Sequence, residues 1–432
     1  MPQGDAATIS SNVLSCLDNI LPGTHEKQKL VAQCYDGASV MSGQHRGVQS
    51  IVKDAYPNAH YVHCYAHQLN LVLQQAVSHI TGVRVFFANL NAFSVFFSRS
   101  PKRVSCLDEC VARRIPRSVQ TRWNFQSRIV STVFEHKDDL IKCFEMIIDT
   151  WKRDQVSVRE ASGLLHWLQD RNFLIYLEFF QQLMPHVDIL YAQLQKRQIS
   201  ATFIQTCIQN FVKAINNVRD KVPDICSMTS SAESVDPLPK RPRFPYSDEE
   251  LSVTLIEVSD VIISHCCSRF KFTEHLTAAT LFESGSFSYF EQSFPTKVVE
   301  NAVKSFPFFD GTKLQSELSV IYSRPEFRQC CGAVPLLHHL MESNLADTFS
   351  ETVQLLKIIM TIPMSSCEAE RCFSTLKRIK NFLRNTMSEE RLNALAMLSM
   401  EKSLIRDSTD FNKNVIEMFA QLNNRRAKFL FK

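Results

Sequence analysis

The sequence predicts a mainly α-helical protein with a partial α/β layer near its start. Three observations carry this reading. Thirty-one phenylalanines stand against only 10 glycines in 432 residues, which suits long packed helices with few tight turns and argues against an all-β chain. One strand–helix–strand–helix pattern occupies residues 30–80, and no strand pattern of comparable quality follows it. Beyond it, apolar residues recur at helical spacing through most of the chain.

The elements follow in order. Residues 30–35 (LVAQCY) are a short apolar run ending in Asp36-Gly37, the pattern of a strand followed by a turn. A helix is expected over 47–55, a second strand over 59–64 (AHYVHC), and a helix over 66–80 with Leu69, Leu73, Ala76 and Val77 on one face. Residues 83–221 read as helical. Leu164, Leu168, Phe173, Leu177, Phe180 and Leu183 follow the period loosely, and Ile204, Ile208, Phe211, Val212 and Ile215 follow it well.

Residues 223–250 break the pattern with Ser, Pro and charge, and read as an exposed, disordered linker. Its Lys240-Arg241-Pro242-Arg243 cluster reads either as a nuclear-import signal or as an ordinary solvated loop. Helices resume at Leu251. A helix over 344–362 carries Leu345, Phe349, Val353, Leu356 and Met360 on one stripe and is stopped by Pro363. Ser365-Ser366-Cys367-Glu368 has the spacing of a capping box, leading into a helix with Ala369, Phe373, Leu376 and Leu383 on one face. Ser388, followed by Glu389 and Glu390, opens a helix carrying Leu392, Leu395, Ala396 and Ser399. A last helix over 411–424 shows Phe411, Val415, Phe419 and Leu422. The chain thus divides into a partial α/β segment (1–82), a helical stretch (83–222), the linker (223–250), a second helical stretch (251–343) and a C-terminal region (344–432). Successive apolar stripes in that region suit either a monomer core or a dimer interface.

Composition excludes some classes. Forty-eight Lys and Arg against 44 Asp and Glu leave a net charge of only +4, so any nucleic-acid surface must be a local patch. The most apolar run, 83–97, is interrupted by Arg84, Asn89 and Asn91 and is too short to span a bilayer. No secretory signal is expected in the polar residues 1–15. The 14 cysteines are irregularly spaced, two adjacent pairs included (Cys266-Cys267 and Cys330-Cys331), and none forms a Cys-x-x-Cys knuckle. The expectation is an intracellular chain with reduced thiols, no membrane contact, no small-molecule substrate and no metal site. His63, Cys64 and His67 place two ligand types one helical turn apart, but without a partner pair they read as packing rather than as a zinc site.

Three blocks, in this order, resemble the hAT-superfamily transposases. The first is Tyr35-Asp36-Gly37-Ala38-Ser39-Val40-Met41-Ser42-Gly43, followed by His63-Cys64-Tyr65-Ala66-His67-Gln68-Leu69-Asn70-Leu71. The second is Thr121-Arg122-Trp123, and the third runs from Ile362 to Leu398 (IPMSSCEAERCFSTLKRIKNFLRNTMSEERLNALAML). The likeness covers nearly the whole chain and is greatest to the transposon-derived zinc finger MYM-type protein 1-like group. The resemblance implies a remnant RNase H-like fold interrupted by a large helical insertion and ending in C-terminal hAT dimerisation helices. It also implies two-metal chemistry in the intact enzyme, with three carboxylates holding two Mg²⁺ ions.

By motif match, Asp36 takes the place of the second carboxylate and Glu370 that of the third. The first would lie upstream of every element present, where Asp5 and Asp18 follow no convincing strand. The resemblance therefore implies a vestigial site, with no cofactor, and Mg²⁺ only if the carboxylate set were complete. Asp36 also reads simply as a turn residue, and Glu368 is accounted for by the capping box where Glu370 is not. Trp123 matches a tryptophan implicated in holding the DNA end in the family, Arg122 beside it could meet a phosphate, and a buried core tryptophan is the other reading. Lys377, Arg378 and Lys380 form a basic helix face able to meet phosphates. Leu356, Phe373, Leu376, Leu392 and Leu395 are the expected dimerisation residues. The functional expectation is a domesticated, catalytically inactive homodimer in the nucleus that associates with DNA. The alternatives are a DNA transposase whose first carboxylate lies on another segment, or a gene fragment without independent function.

Overall fold

Two parallel strands need a crossover, and residues 32–63 supply one. The computed structural model describes residues 4–111, 113–116, 123–196, 201–228, 247–271, 274–381 and 384–421. Strand β1 (Ala32–Tyr35) pairs in parallel with β2 (His60–His63), with Ala32 opposite His60 and Tyr35 opposite His63. Among the described residues this sheet has two strands. The crossover helix Val48–Ala55 turns Val48 and Val52 inward with Tyr56 and Ala59. Gln33, buried in β1, donates from Nε2 to the carbonyls of Gln49 and Ala59, both at 2.9 Å, and so ties strand to crossover.

A helix precedes this layer where none was expected. Ala6–Ile20 is capped by Asp5, whose carboxylate accepts the Thr8 N–H at 2.8 Å. Its Ile9, Val13 and Leu17 repeat at four-residue spacing and cover Val48, Val52 and Tyr56. Asp18, near its end, accepts from the Tyr56 hydroxyl (2.9 Å) and pairs with Lys27 (3.0 Å).

The helical stretch forms as the periodicity directs, with its joints placed by local chemistry. The apolar residues between 155 and 194 belong to two helices, Gln155–Gln169 and Arg171–Leu194, separated at Asp170, whose side chain accepts the Phe173 N–H at 2.9 Å. The central helix Thr81–Ser98 buries five phenylalanines, and their rings meet Phe144, Phe173 and Phe180 from two other helices. Arg103 is buried beside them. Its guanidinium lies over the Phe96 ring, donates to the Phe96 carbonyl and Ser157 Oγ, and pairs with Glu160 at 2.6 Å.

The predicted linker is shorter than its composition suggests. Residues 222–228 continue as a helix (Val222–Met228), and Asp248–Arg269 opens with a full capping box between Ser247 and Glu250. Residues 229–246, the Lys240–Arg243 cluster among them, lie outside the described residues. By length and composition, Glu249–Arg269 could cross a bilayer, a property the reading of 83–97 overlooked. Here it is a core helix with Leu251, Leu255, Val258, Ile262 and Cys266 buried, and Arg219 on the helix Ala201–Asp220 grips its Asp260 with two hydrogen bonds (2.7 and 3.2 Å).

The helix expected over 344–362 starts later, at Ser350–Thr361. The preceding helix Ala333–Glu342 ends with Asn344 at φ 54, the left-handed position that closes a helix, and its carbonyls at Leu340 and Met341 accept the N–H groups of Leu345 and Asn344. The new helix takes its first-turn acceptor from elsewhere. Glu317, buried on Gly311–Ser323, accepts the Thr352 N–H at 2.8 Å and the Glu351 N–H at 3.3 Å.

The chain divides into two compact units, Met1–Ser365 and Ser366–Lys432. In the second, Cys367–Ile379 packs on Glu389–Met400, followed by Lys402–Asp407 and Phe411–Gln421.

Replacing Glu317 by Ala leaves the first amides of Ser350–Thr361 without an acceptor inside the protein. The expected cost is about 1–3 kcal/mol. Hydrogen exchange checks it: the amides of Glu351 and Thr352 should lose protection before their neighbours, and unchanged exchange there would refute the capping role.

Candidate functional site

The motif-bearing side chains lie in both units, and each unit is best built separately. In the first, β1 delivers Asp36 to a turn at its C-terminal end. The Asp36 carboxylate accepts the Ala38 N–H at 3.1 Å, and its carbonyl accepts the Tyr61 hydroxyl at 3.2 Å. Gly37 is needed because of the neighbouring strand. A Cβ there would lie 2.7 Å from the His63 ring, so only glycine lets the turn close over β2. Tyr35 stacks on Tyr61, and Tyr61 on His63, each pair at 6.3 Å. Burial, with smaller contributions from Cys34, Asp36 and Cys64, pushes the Tyr61 hydroxyl well above its ordinary range, so it is a neutral donor.

Two histidines of this layer are held neutral. Burial lowers His63, and its Nε2 is enclosed without a hydrogen-bond partner among the described residues. Burial also lowers His60, helped by the Lys53 ammonium and opposed by the Ser305 carbonyl. His60 Nε2 lies 2.7 Å from the Ser305 carbonyl oxygen and its Nδ1 lies 3.1 Å from Lys53 Nζ. That arrangement requires the proton on Nε2, donated to the carbonyl, with Nδ1 accepting from Lys53. His67 and Cys64, noted as ligand types, lie in contact (Nδ1 to Sγ 3.4 Å) on the core side of the layer.

Fold closure joins the first and third sequence blocks. The Tyr65 N–H, at the start of Tyr65–His79, donates to the Met364 carbonyl at 3.1 Å, and Cys64 Sγ lies 3.8 Å from Ser365 Oγ. Of the second block, Arg122 lies outside the described residues. Trp123 opens the helix Trp123–Glu135, is 7 % exposed, and meets Phe87 edge-on at 5.3 Å. The ring is buried in the helical core.

In the second unit, Glu370 sits half-buried in the first turn of Cys367–Ile379. The expected capping box does not form. The N-cap is Ser366, its side chain makes no cap hydrogen bond, and Glu368 pairs with Arg371 at 2.9 Å instead. A competing acceptor–donor pair one turn apart takes the glutamate that the spacing had assigned to the cap. Lys377 and Lys380 are exposed at the end of this helix, and Arg378 donates to Thr375 Oγ1 at 2.9 Å. Leu383 lies outside the described residues.

The expected dimerisation residues separate. Leu356 is completely buried inside the first unit, so it can only support that core. Phe373 is 70 % exposed, while Leu376, Leu392 and Leu395 are half-buried. Other large exposed apolar side chains join Phe373: Val415 and Phe419 from the expected last stripe, and Met397, Leu398, Leu404, Ile416 and Met418, which no stripe had included. Among the described residues of this unit only Cys367, Thr375 and Ala396 are buried.

Residues 341–404 match the family model of the hAT family C-terminal dimerisation region. A Mus musculus protein named 52 kDa repressor of the inhibitor of the protein kinase is 21% identical over 425 residues, covering 87% of this chain and 54% of its own. The Homo sapiens protein of that name is 22% identical over 424 residues, covering 87% and 53%. The chain thus spans about half the length of the curated relatives it matches, and neither bears a zinc finger MYM-type name.

The neutral histidines make a pH prediction. Their folded pKa lies below the unfolded value of about 6.5. Above that value both states are neutral and nothing is lost. As pH falls through it, the unfolded state binds the proton first and stability drops. The thermal midpoint should therefore fall between about pH 7 and about pH 5.5, and His60→Gln should flatten part of that fall. An identical slope in the variant would contradict the assignment.

Proposed function

We propose that this chain is a transposase-derived protein whose working activity is self-association through the helices after Ser366, in the nucleus and in association with nucleic acid. One observation carries the reading. The second unit exposes eight large apolar side chains and, among its described residues, buries three. A segment of this size cannot be stable with its apolar surface in water, and a second copy is the partner that a dimerisation region supplies. The match over 341–404 supports this, as it includes Phe373, Leu376, Leu392, Leu395, Met397 and Leu398. Leu404 closes the matched span, and the helix Phe411–Gln421 extends the same apolar character beyond it.

Strand transfer is not part of the proposal. The Asp36 carboxylate is engaged in its own turn, and among the described residues of the first unit the group of three ligand side chains that converges is made of sulfurs. Asp36 and Glu370 are read as vestiges of an RNase H-like site on the strength of their motifs. The nuclear, regulatory setting rests on the basic run at Lys240–Arg243 and on the word repressor in the relatives' name. Nucleic-acid contact is assigned to Lys377, Arg378 and Lys380 as phosphate ligands that carry no sequence information.

Light scattering tests the central claim. The full chain should have the mass of a dimer, and Phe373→Asp with Leu404→Asp should give a monomer of unchanged helicity, since both side chains are exposed. A monomeric wild type, or a double variant that stays dimeric, would sink it. For nucleic acid, Lys377→Glu with Lys380→Glu should lower the salt slope of duplex binding by about 2. A wild type that binds no duplex at low salt would remove that part of the proposal and leave self-association standing.

A further inference from the structure

Three cysteines from two helices converge in the helical body, away from every motif discussed above. Cys106 and Cys110 lie one turn apart on one face of Pro101–Cys110, and Cys143 faces them from Lys137–Thr150. All three sulfurs lie within 4.8 Å of one another, and Cys106 Sγ is 3.7 Å from Cys143 Sγ. Cys106 and Cys143 are buried, whereas Cys110, at the helix end, is half-exposed. Among the described residues this is the one set of three or more ligand side chains gathered so closely.

We propose that Cys106, Cys110 and Cys143 form a site for a soft, thiophilic metal ion, Zn²⁺ in the first place, with the fourth position open to solvent beside Cys110. The geometry fits. Metal–sulfur bonds of about 2.3 Å at tetrahedral angles place the sulfurs about 3.8 Å apart, close to the Cys106–Cys143 separation, so one ion needs only small side-chain adjustments. The donor set fits as well, since thiolate ligands select Zn²⁺ and Cu⁺ over the hard ions that carboxylates hold. The bland reading is three thiols serving as small apolar core residues. That reading accounts for Cys106 and Cys143, but it gives no reason for a third, part-exposed sulfur to point at the same place. Burial first, and then neighbouring cysteines, push the Cys106 and Cys143 thiols up, and a shared cation is what would bring them to the thiolate form. In chemical terms, each sulfur releases its proton to solvent as it bonds the ion, with no change of oxidation state. An ion held here would pin the end of Pro101–Cys110 to Lys137–Thr150, a structural role independent of self-association.

The test uses the reduced, metal-free full chain with Co²⁺ as the probe and Zn²⁺ as competitor. One equivalent of Co²⁺ should develop sulfur-to-cobalt charge-transfer absorption with tetrahedral d–d bands, discharged by one equivalent of Zn²⁺. Cys110→Ala should weaken binding by at least about a hundredfold, as even an outer-shell change can cost that much. The exposed Cys267→Ala should leave it unchanged. A second readout needs no substitution. Zn²⁺ at about ten times its dissociation constant should slow alkylation of Cys110 about tenfold in the native wild type and leave Cys267 and Cys331 unaffected. Absence of the charge-transfer band, equal binding by Cys110→Ala, or equal alkylation of Cys110 with and without Zn²⁺ would each overturn the site.

Discussion

The packing of aromatic rings around the helix Thr81–Ser98 is the interaction on which the first unit depends. Phe86 stacks on Phe180 at 5.3 Å and Phe87 meets the same ring edge-on at 4.7 Å, while Phe93, Phe96 and Phe97 all reach Phe144. Edge-to-face and offset contacts between rings add to the area they bury, and they also set orientation, because a ring admits few favourable approaches. One helix thereby fixes the placement of Trp123–Glu135, Lys137–Thr150 and Arg171–Leu194. The buried Arg103, satisfied by Ser157, Glu160 and a carbonyl, holds the turn between this axis and the next helix. The cysteine cluster sits at that joint, where Pro101–Cys110 packs on Lys137–Thr150.

The α/β layer is secured by polar bonds as much as by apolar packing. Gln33, Tyr56 and His60 each reach from the layer to another element: the crossover, the first helix and Ser305. The arrangement of Asp36, Gly37, Tyr61 and His63 is sterically tight, with the glycine set by a ring and the carboxylate set by a turn. The second unit follows the opposite logic, since its apolar side chains face outward and its own helices bury little. Much of that outward face falls within the match to the hAT family C-terminal dimerisation region.

Much of this was legible in the residues. Both strands, the crossover and the helix after them were readable because a period of two gave way to one near 3.6 within fifty residues, with Asp36-Gly37 marking the turn. Pro363 ended a helix as its missing N–H requires. Other features were not legible. Ala6–Ile20 was passed over because its stripe is diluted by Ser and Asn, and its worth lies in covering Tyr56 and Val52 far along the chain. The capping box at Ser365–Glu368 matched in spacing, yet Arg371 offered Glu368 a better partner. The start of Ser350–Thr361 depended on Glu317, which no local pattern connects to it.

By itself, the sequence determined most of the helical segments, where the two strands lie, and which face of many helices is apolar, because these depend on neighbours two to four residues apart. What each apolar face meets was decided only by tertiary structure. Leu356 and Phe373 read alike as stripe residues, yet one lies at the centre of the first unit and the other stands in solvent on the second. The meeting of Cys106 and Cys110 with Cys143 was decided the same way, since two helices must pack before three sulfurs can share a point. Periodicity records the direction of a side chain relative to its own helix axis; its surroundings depend on contacts between segments far apart in the chain.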